Sequence, residues 1–351
     1  MIEQFADTIR RARAEGRRLR IRGGGGKDFY GVALEGEPLD TRGYSGVVDY
    51  DPSELVITAR AGTPLSEVES VLAARGQMLA FEPPRLGDGG TLGGAVASGL
   101  SGPRRVAAGS ARDFVLGARV LDAQGRDLSF GGRVMKNVAG FDVSRLVAGS
   151  FGTLGLVTEV SLKVLPRPVA ESTLCFAMDE PAALEAVNRW AGQPLPLSSS
   201  CHDGERLWVR LSGARAAVDS ALGRMGGERV DDAAAEAFWS ALRDQTHAFF
   251  REAGTLWRFS VRATAPALGL GPQWTEWHGS LRWVAAPLDA DAAHAAAARA
   301  GGHATLYRAE AGQRAAGIQR LTPGVLALHR RLKQAIDPEG LFGPRRLHPE
   351  F

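Results

Sequence analysis

Hydrophobic positions along the chain change their spacing several times, and each change predicts an element. Phe5, Ile9 and Ala12 recur at helical spacing with arginines on the opposite side, which predicts an amphipathic N-terminal helix. Leu19-Arg20-Ile21-Arg22 then alternates at period two, predicting a short strand that runs into Gly23–Gly26. Residues 39 to 60 continue as β, through Val47–Tyr50 and Leu55–Arg60. Thr63 reads as the cap of a helix with Pro64 at its first position; Leu65, Val68 and Leu72 form its buried face, and Gly76 ends it. The run FVLGARVLDAQGRDLSF predicts two strands about an Ala123–Arg126 turn. A loop with a short helix (KNVAGFDVSRLVAGSFG) follows, and then a β run, TLGLVTEVSLKVLPRP.

At Pro166–Pro168 the texture changes. All seven tryptophans lie beyond this point, and glycine-rich loops become scarce. Helical patterns around 180–191, 214–224 and 233–251 alternate with β pieces at 206–211 and 256–262, which predicts a second α+β domain. An alanine-rich helix at 289–300 leads to a tail in which Leu328, Leu332 and Ile336 outline an amphipathic helix that stops at Asp337-Pro338.

One stretch has neither period. From Pro83 to Gly109 the chain reads PPRLGDGGTLGGAVASGLSGPRRVAAG, and RGGGGKD stands sixty residues earlier. Glycine is costly to order, so such runs in a compact chain imply positive φ or something large lying against the backbone. Two of them point to a long, flat, anionic ligand gripped by backbone N–H groups, most simply a nucleotide cofactor. Flexible linkers fit less well, because Leu86, Leu92, Val96 and Leu100 thread the longer run.

Composition narrows the choices. At 351 residues the chain is long for one core, and 44% apolar with 23% charged is ordinary for a globular protein. No apolar run is long enough to span a membrane, and the N-terminus lacks the apolar region of a signal peptide. Two cysteines are too few for a disulfide framework or an iron–sulfur cluster, so a cytoplasmic setting is expected. The net charge is only +3, and the arginine clusters lack interleaved aromatics, which leaves a nucleic-acid-binding role as a remote alternative. GGGGK is not a P-loop, since Ile21 stands where its first glycine belongs and Asp28 replaces the Mg²⁺-binding hydroxyl. No Rossmann GxGxxG follows a strand, the seven histidines form no metal-binding motif, and no GxSxG elbow occurs.

Five segments in order carry a resemblance: IRGGGGKDFYG, the Pro83–Gly109 run with its TLGG, ARDFVLGARVLDAQG, KNVAGFDVSRLVAGSFGTLGLVTEVSLKVLP, and the terminal IDPEGLF. Together they resemble the PCMH-type FAD-binding flavoproteins of the vanillyl-alcohol-oxidase superfamily. Within it they are most similar to the FAD-binding subunits of bacterial glycolate oxidases. The match covers about residues 1–170 and the last 25.

The resemblance implies an α+β fold: a two-subdomain FAD-binding domain over 1–168, a smaller α+β cap over 169–320, and a C-terminal helix and tail at 321–351 that return to the FAD domain. Arg22, Gly23, Gly24, Gly25, Gly26, Lys27 and Asp28 would cradle the FAD pyrophosphate. Pro83, Thr91, Gly93, Gly94, Ala97, Ser98 and Gly102 would line the ribityl chain and ring, and Gly152, Gly155, Leu156 and Val157 would run beside the adenosine portion. Relatives with covalent flavin often carry histidine just after the first loop; Lys27 stands here, so non-covalent FAD is expected. Gly343-Pro344-Arg345-Arg346 replaces the usual NPGR, and the histidine-rich metal cluster of relatives that oxidise 2-hydroxy acids directly is missing from this sequence.

The function implied is that of an FAD-binding subunit of a complex oxidising a small 2-hydroxy acid, glycolate or D-lactate, to the 2-oxo acid. Its partners would be a catalytic flavoprotein and an iron–sulfur subunit, with any membrane association arising through that complex. The alternative is a self-sufficient dehydrogenase, in which Lys136, Asn137 or Arg145 would face the flavin and hold the substrate carboxylate.

Overall fold

The computed structural model describes residues 1–32, 34–132, 142–310 and 313–351. It divides into two compact units. The first comprises Met1–Ser101, Ser110–Pro166 and Leu321–Phe351; the second comprises Gly102–Gly109 and Arg167–Arg320.

In the first unit, five strands form an antiparallel sheet in the order Val47–Asp51, Val56–Arg60, Leu156–Lys163, Val115–Leu121, Asp127–Gly131. The central strand Leu156–Lys163 and its neighbour Val56–Arg60 are buried almost throughout, so both of their faces are covered. Leu19–Arg22 pairs in parallel with Glu37–Asp40 as a separate two-stranded sheet. The N-terminal helix, Ile2–Ala14, buries Phe5, Ala6, Ile9 and Ala12 as its periodicity predicts. These side chains share a core with Leu19, Leu39, Leu121, Leu156, Leu341 and Phe342, so the end of the chain packs into the same unit as its beginning.

Two local expectations change. The helix Leu65–Ala73 has Pro64, not Thr63, at its N-cap position. The Thr63 hydroxyl instead accepts from Gly46 N at 2.9 Å and donates to Arg60 O at 2.7 Å, tying two turns together. The terminal helix, Pro323–Ile336, does not bury the expected apolar stripe: Leu328 is 62% exposed. Its buried side chain is Lys333, whose ammonium donates to Asp337 Oδ2 (2.7 Å), Thr153 O (2.7 Å) and Phe342 O (2.9 Å). Asp337 in turn accepts from Leu341 N and Phe342 N. The IDPEGLF segment is thus a polar staple, with every proton of a buried lysine satisfied.

The second unit holds an eight-stranded antiparallel sheet in the order Glu228–Arg229, Ala170–Ala177, Arg206–Gly213, Leu197–His202, Gln273–Glu276, Leu281–Val284, Leu256–Ser260, His303–Arg308. Six α-helices accompany it among the described residues: Arg105–Ala108, Glu180–Ala191, Arg215–Met225, Asp232–Arg243, Ala248–Glu252 and Ala290–Arg299. The helical pattern expected at 233–251 breaks at Gln245, whose φ of 54° is incompatible with continuing the helix. Ala290–Arg299 presents Ala293, Ala296 and Ala297 to Trp257, Phe259 and Leu306, small residues opposite large ones. Trp239, Trp257, Trp274, Trp277 and Trp283 are buried, and no tryptophan is among the exposed large hydrophobics.

Trp277 and His278 both have positive φ, 51° and 55°. The conformation is held by Ser200 Oγ, which receives His278 N at 3.1 Å and lies 2.8 Å from His278 Nδ1, and by Trp277 Nε1 donating to Gly102 O at 3.0 Å. Burial lowers the His278 pKa to about 4. The unfolded imidazole therefore takes up its proton near pH 6.5, before the folded one. This contribution to stability is complete above pH 6.5 and fades as pH falls toward 4, by up to about 3 kcal/mol. His278→Asn, which tolerates positive φ, should show a smaller loss of urea-melting stability between pH 7 and 4.5 than the parent chain. Parallel losses in the two proteins would refute this assignment.

Candidate functional site

The two glycine-rich segments meet in the first unit. A cavity opens between the loop Gly23–Asp28, the segment Gly90–Ser98, the turn Phe151–Gly155 and the C-terminal Gly343 and Arg346. Its glycines are explained mainly by chain lying on chain. A Cβ on Gly24 would sit 1.5 Å from Gly89 O, one on Gly26 2.4 Å from Leu86 O, and one on Gly23 2.4 Å from Thr91 Oγ1. The first loop therefore lies directly on the second, with no room for a side chain between them.

Thr91 begins the helix Leu92–Ser98, its hydroxyl accepting from Gly94 N at 3.2 Å. Leu92 N and Gly93 N donate to Thr63 O and Ala61 O at 2.9 and 2.8 Å, which clamps the start of this helix to the preceding turn. On the far wall Phe151, at φ 52°, donates its N–H to Ala97 O at 2.8 Å and packs its ring against Tyr30. The tail closes the same wall. Arg346 donates to Lys27 O at 2.8 Å and lies over the Phe151 ring.

The charge of the site is basic with an internal acid. Arg22 Nε donates to Asp28 Oδ2 at 3.1 Å, and Arg20 Nη1 approaches the same oxygen at 3.5 Å. Arg20 Nε is buried without a hydrogen-bond partner. A buried, unsatisfied guanidinium nitrogen lining a glycine-walled cavity is what a phosphate-bearing ligand would complete.

Of the residues expected from the sequence, Arg22 through Asp28, Thr91, Gly93, Gly94, Ala97, Ser98, Gly152, Gly155 and Val157 line this one cavity. Pro83 is buried away from the lining, and Leu156 points into the core with Phe5 and Ile9. Gly102 belongs to the second unit. Arg145 sits on the helix Val143–Leu146, its Nε 3.4 Å from both Val115 O and Asp142 Oδ2, and does not reach the cavity lining. Lys136 and Asn137 lie outside the described residues. The sequence reading missed Arg20, Glu35, Thr41, Ala61, Phe151 and Arg346. Period-two spacing to Arg22 could have found Arg20; nothing local in the sequence points the distant Arg346 to this wall. Among the described residues no group of three His, Cys, Asp or Glu side chains is placed to hold a metal ion, and no helix is long and apolar enough to cross a membrane.

An α+β chain with a glycine-lined, phosphate-ready cavity is an FAD-binding oxidoreductase, and the comparisons agree: residues 1–131 match the family described as "FAD binding domain". Over 350 residues the chain is 45% identical to the glycolate oxidase subunit GlcE of Escherichia coli (strain K12), spanning 99% of this chain and 98% of that one. The chain therefore belongs to the GlcE family, and its cofactor is FAD. Similarity to the glycolate oxidase subunit GlcD of Bacillus subtilis (strain 168) is 33% over 128 residues, 36% of this chain and 27% of that one. Among solved structures, alkyldihydroxyacetonephosphate synthase shares the fold, with a TM-score of 0.66 at 17% identity over 97% of this chain and 73% of that one.

Arg20→Met should leave the fold intact and weaken FAD binding by about tenfold, the scale of one charge-assisted hydrogen bond. Titration of the apo chain with FAD, followed by quenching of flavin fluorescence, measures it. An unchanged affinity would remove Arg20 from the site.

Proposed function

We propose that this chain is the FAD-binding subunit of a complex that oxidises glycolate to its 2-oxo acid, and that substrate turnover requires a partner flavoprotein chain and an iron–sulfur chain. The observation that carries this reading is the pattern of similarity. The whole chain, both units included, runs with a glycolate oxidase E subunit, whereas only about a third of it runs with a D subunit.

FAD supplies a two-electron acceptor when bound. The residues that would hold it are Arg22–Asp28 and Arg20 for the pyrophosphate, Thr91, Gly93, Gly94, Ala97 and Ser98 for the ribityl chain and ring, and Gly152, Gly155 and Val157 for the adenosine portion, all of which line the one cavity. Lys27 offers an ammonium where covalent relatives place histidine, so the flavin is held without a covalent bond. The rigid loop-on-loop packing fixes the backbone donors before the cofactor arrives, which lowers the ordering cost of binding.

The test is co-purification followed by assay. The chain expressed alone is yellow, releases its flavin on acid precipitation, and does not reduce a dye with glycolate; expressed with its partner flavoprotein and iron–sulfur chains, it restores glycolate-dependent dye reduction. Flavin that stays with the precipitate would contradict non-covalent binding. Full activity of the chain alone would favour the self-sufficient dehydrogenase.

A further inference from the structure

The terminal helix Pro323–Ile336 shows to solvent the side that its sequence pattern marks as apolar. Val325, Leu328, Leu332 and Ala335 recur at i, i+3, i+7 and i+10, which is one side of a helix. Leu328 is 62% exposed and Val325 40%; Ala335 is exposed and Leu332 half-buried. The helix is not free to roll these side chains inward. Lys333 is buried on the inward side and held by Asp337 Oδ2, Thr153 O and Phe342 O, so three hydrogen bonds fix the outward direction of the stripe. Folding alone favours the reverse, leucine in and lysine out. A helix that buries its lysine and displays its leucines is one that a second surface completes.

The charges on the helix select that surface. PGVLALHRRLKQAI contains no acidic residue. Arg330 is answered by Glu350 and Lys333 by Asp337. Arg331, exposed and one turn from Leu328, makes no hydrogen bond or ion pair among the described residues. A complementary partner therefore supplies a carboxylate at the rim of an apolar groove. A second copy of this chain does not fit, because two such helices side by side bring only cations together. A lipid surface fits poorly: the stripe is only about 15 Å long and has no tryptophan or phenylalanine to anchor it.

We propose that Val325, Leu328, Leu332 and Ala335 form the docking face for a partner chain of the complex, one that offers an apolar groove with a carboxylate placed for Arg331. That such a partner exists rests on the proposed function; the face itself rests on the fixed roll of the helix and its unanswered cation. The inward side of the same helix holds Thr153, next to the cavity residue Gly152. The partner thus grips an element that also braces the flavin cavity.

Co-expression of the full chain with its partner flavoprotein and iron–sulfur chains, followed by the dissociation constant of the separated and remixed chains, tests it. Leu328→Glu should weaken association at least about tenfold, the scale of one buried leucine, with flavin content and melting temperature unchanged. Arg331→Gln should weaken it about threefold. Val169→Glu, at another exposed apolar position, should keep the parental affinity. A Leu328→Glu chain that binds its partners as the parent does would overturn the docking face and leave the proposed function standing. Leu328-dependent dimerisation of the isolated chain, or Leu328-dependent binding to phosphatidylglycerol vesicles, would overturn it too, by giving the face to another occupant. A parent chain that binds neither partner would overturn the complex and this face with it.

Discussion

Gly24→Ala purifies colourless. The added methyl would lie 1.5 Å from the Gly89 carbonyl oxygen, and that atom is backbone, so no side-chain rotation relieves the clash. The first loop must lift off the second, which opens the cavity wall that Gly23, Gly25, Gly26 and Lys27 share with Thr91 and Gly93. The rest of the unit has its own core of Phe5, Ile9, Leu121 and Phe342 and survives the change. The expected result is a normal circular dichroism spectrum with flavin reduced at least tenfold per mole of chain. Gly324→Ala, which meets nothing within 4 Å, serves as the control and keeps its flavin. A yellow Gly24→Ala chain would mean that the loops are not in contact as described.

Lys333→Met is the second large effect, and it acts on stability. Lys333 is an ammonium with three protein acceptors in a buried setting, and its partner Asp337 is 1% exposed. Removing the cation leaves that carboxylate buried without its countercharge, a change that costs about 3–5 kcal/mol in comparable pairs. For a unit of this size the melting temperature should fall by roughly 10 °C. One of the three acceptors, Thr153 O, also ties the terminal helix to the residue next to the cavity residue Gly152. FAD should protect the variant less than the parent when both are melted with and without added cofactor. A melting temperature within 2 °C of the parent, about the shift expected for 1 kcal/mol or less, would contradict the role given to the staple.

What the sequence disclosed follows the range of each physical signal. The α+β elements and a backbone-gripped nucleotide cofactor were legible in periodicity and glycine density, which are local properties that survive in a bare sequence; the PCMH-type family and FAD itself were legible through the resemblance carried by five segments in order. The N-terminal helix shows this well: Phe5, Ile9 and Ala12 are buried as their spacing predicts. The terminal helix shows the limit. Leu328 matched a helical stripe equally well, yet the helix turns Lys333 inward instead. The deciding groups are Asp337 and the carbonyls of Phe342 and Thr153, and Thr153 is 180 residues away in sequence.

The glycines teach a related lesson. Their density promised close approach to the backbone, and at Gly23, Gly24 and Gly26 the nearest thing is another stretch of chain. A sequence shows that something must come close but not which partner it is. Arg346 is invisible for the same reason, reaching Lys27 O across 319 positions. The segment Gly102–Gly109 continues the glycine-rich run in sequence and belongs to the second unit in space, where Trp277 donates to Gly102 O. The charge clusters misled less than they might have: the N-terminal arginines are largely engaged with nearby acids, such as Arg10 with Glu3 and Asp7, and Arg13 with Glu339.

The most direct measurement is the visible spectrum of the purified chain before and after anaerobic glycolate, first alone and then with its partner chains. The account predicts a flavin band near unit stoichiometry that glycolate leaves unbleached in the isolated chain and bleaches once the partners are present. Bleaching of the isolated chain would make it a dehydrogenase in its own right and contradict the division of labour proposed. A chain that holds no flavin even after incubation with FAD would contradict the central claim itself.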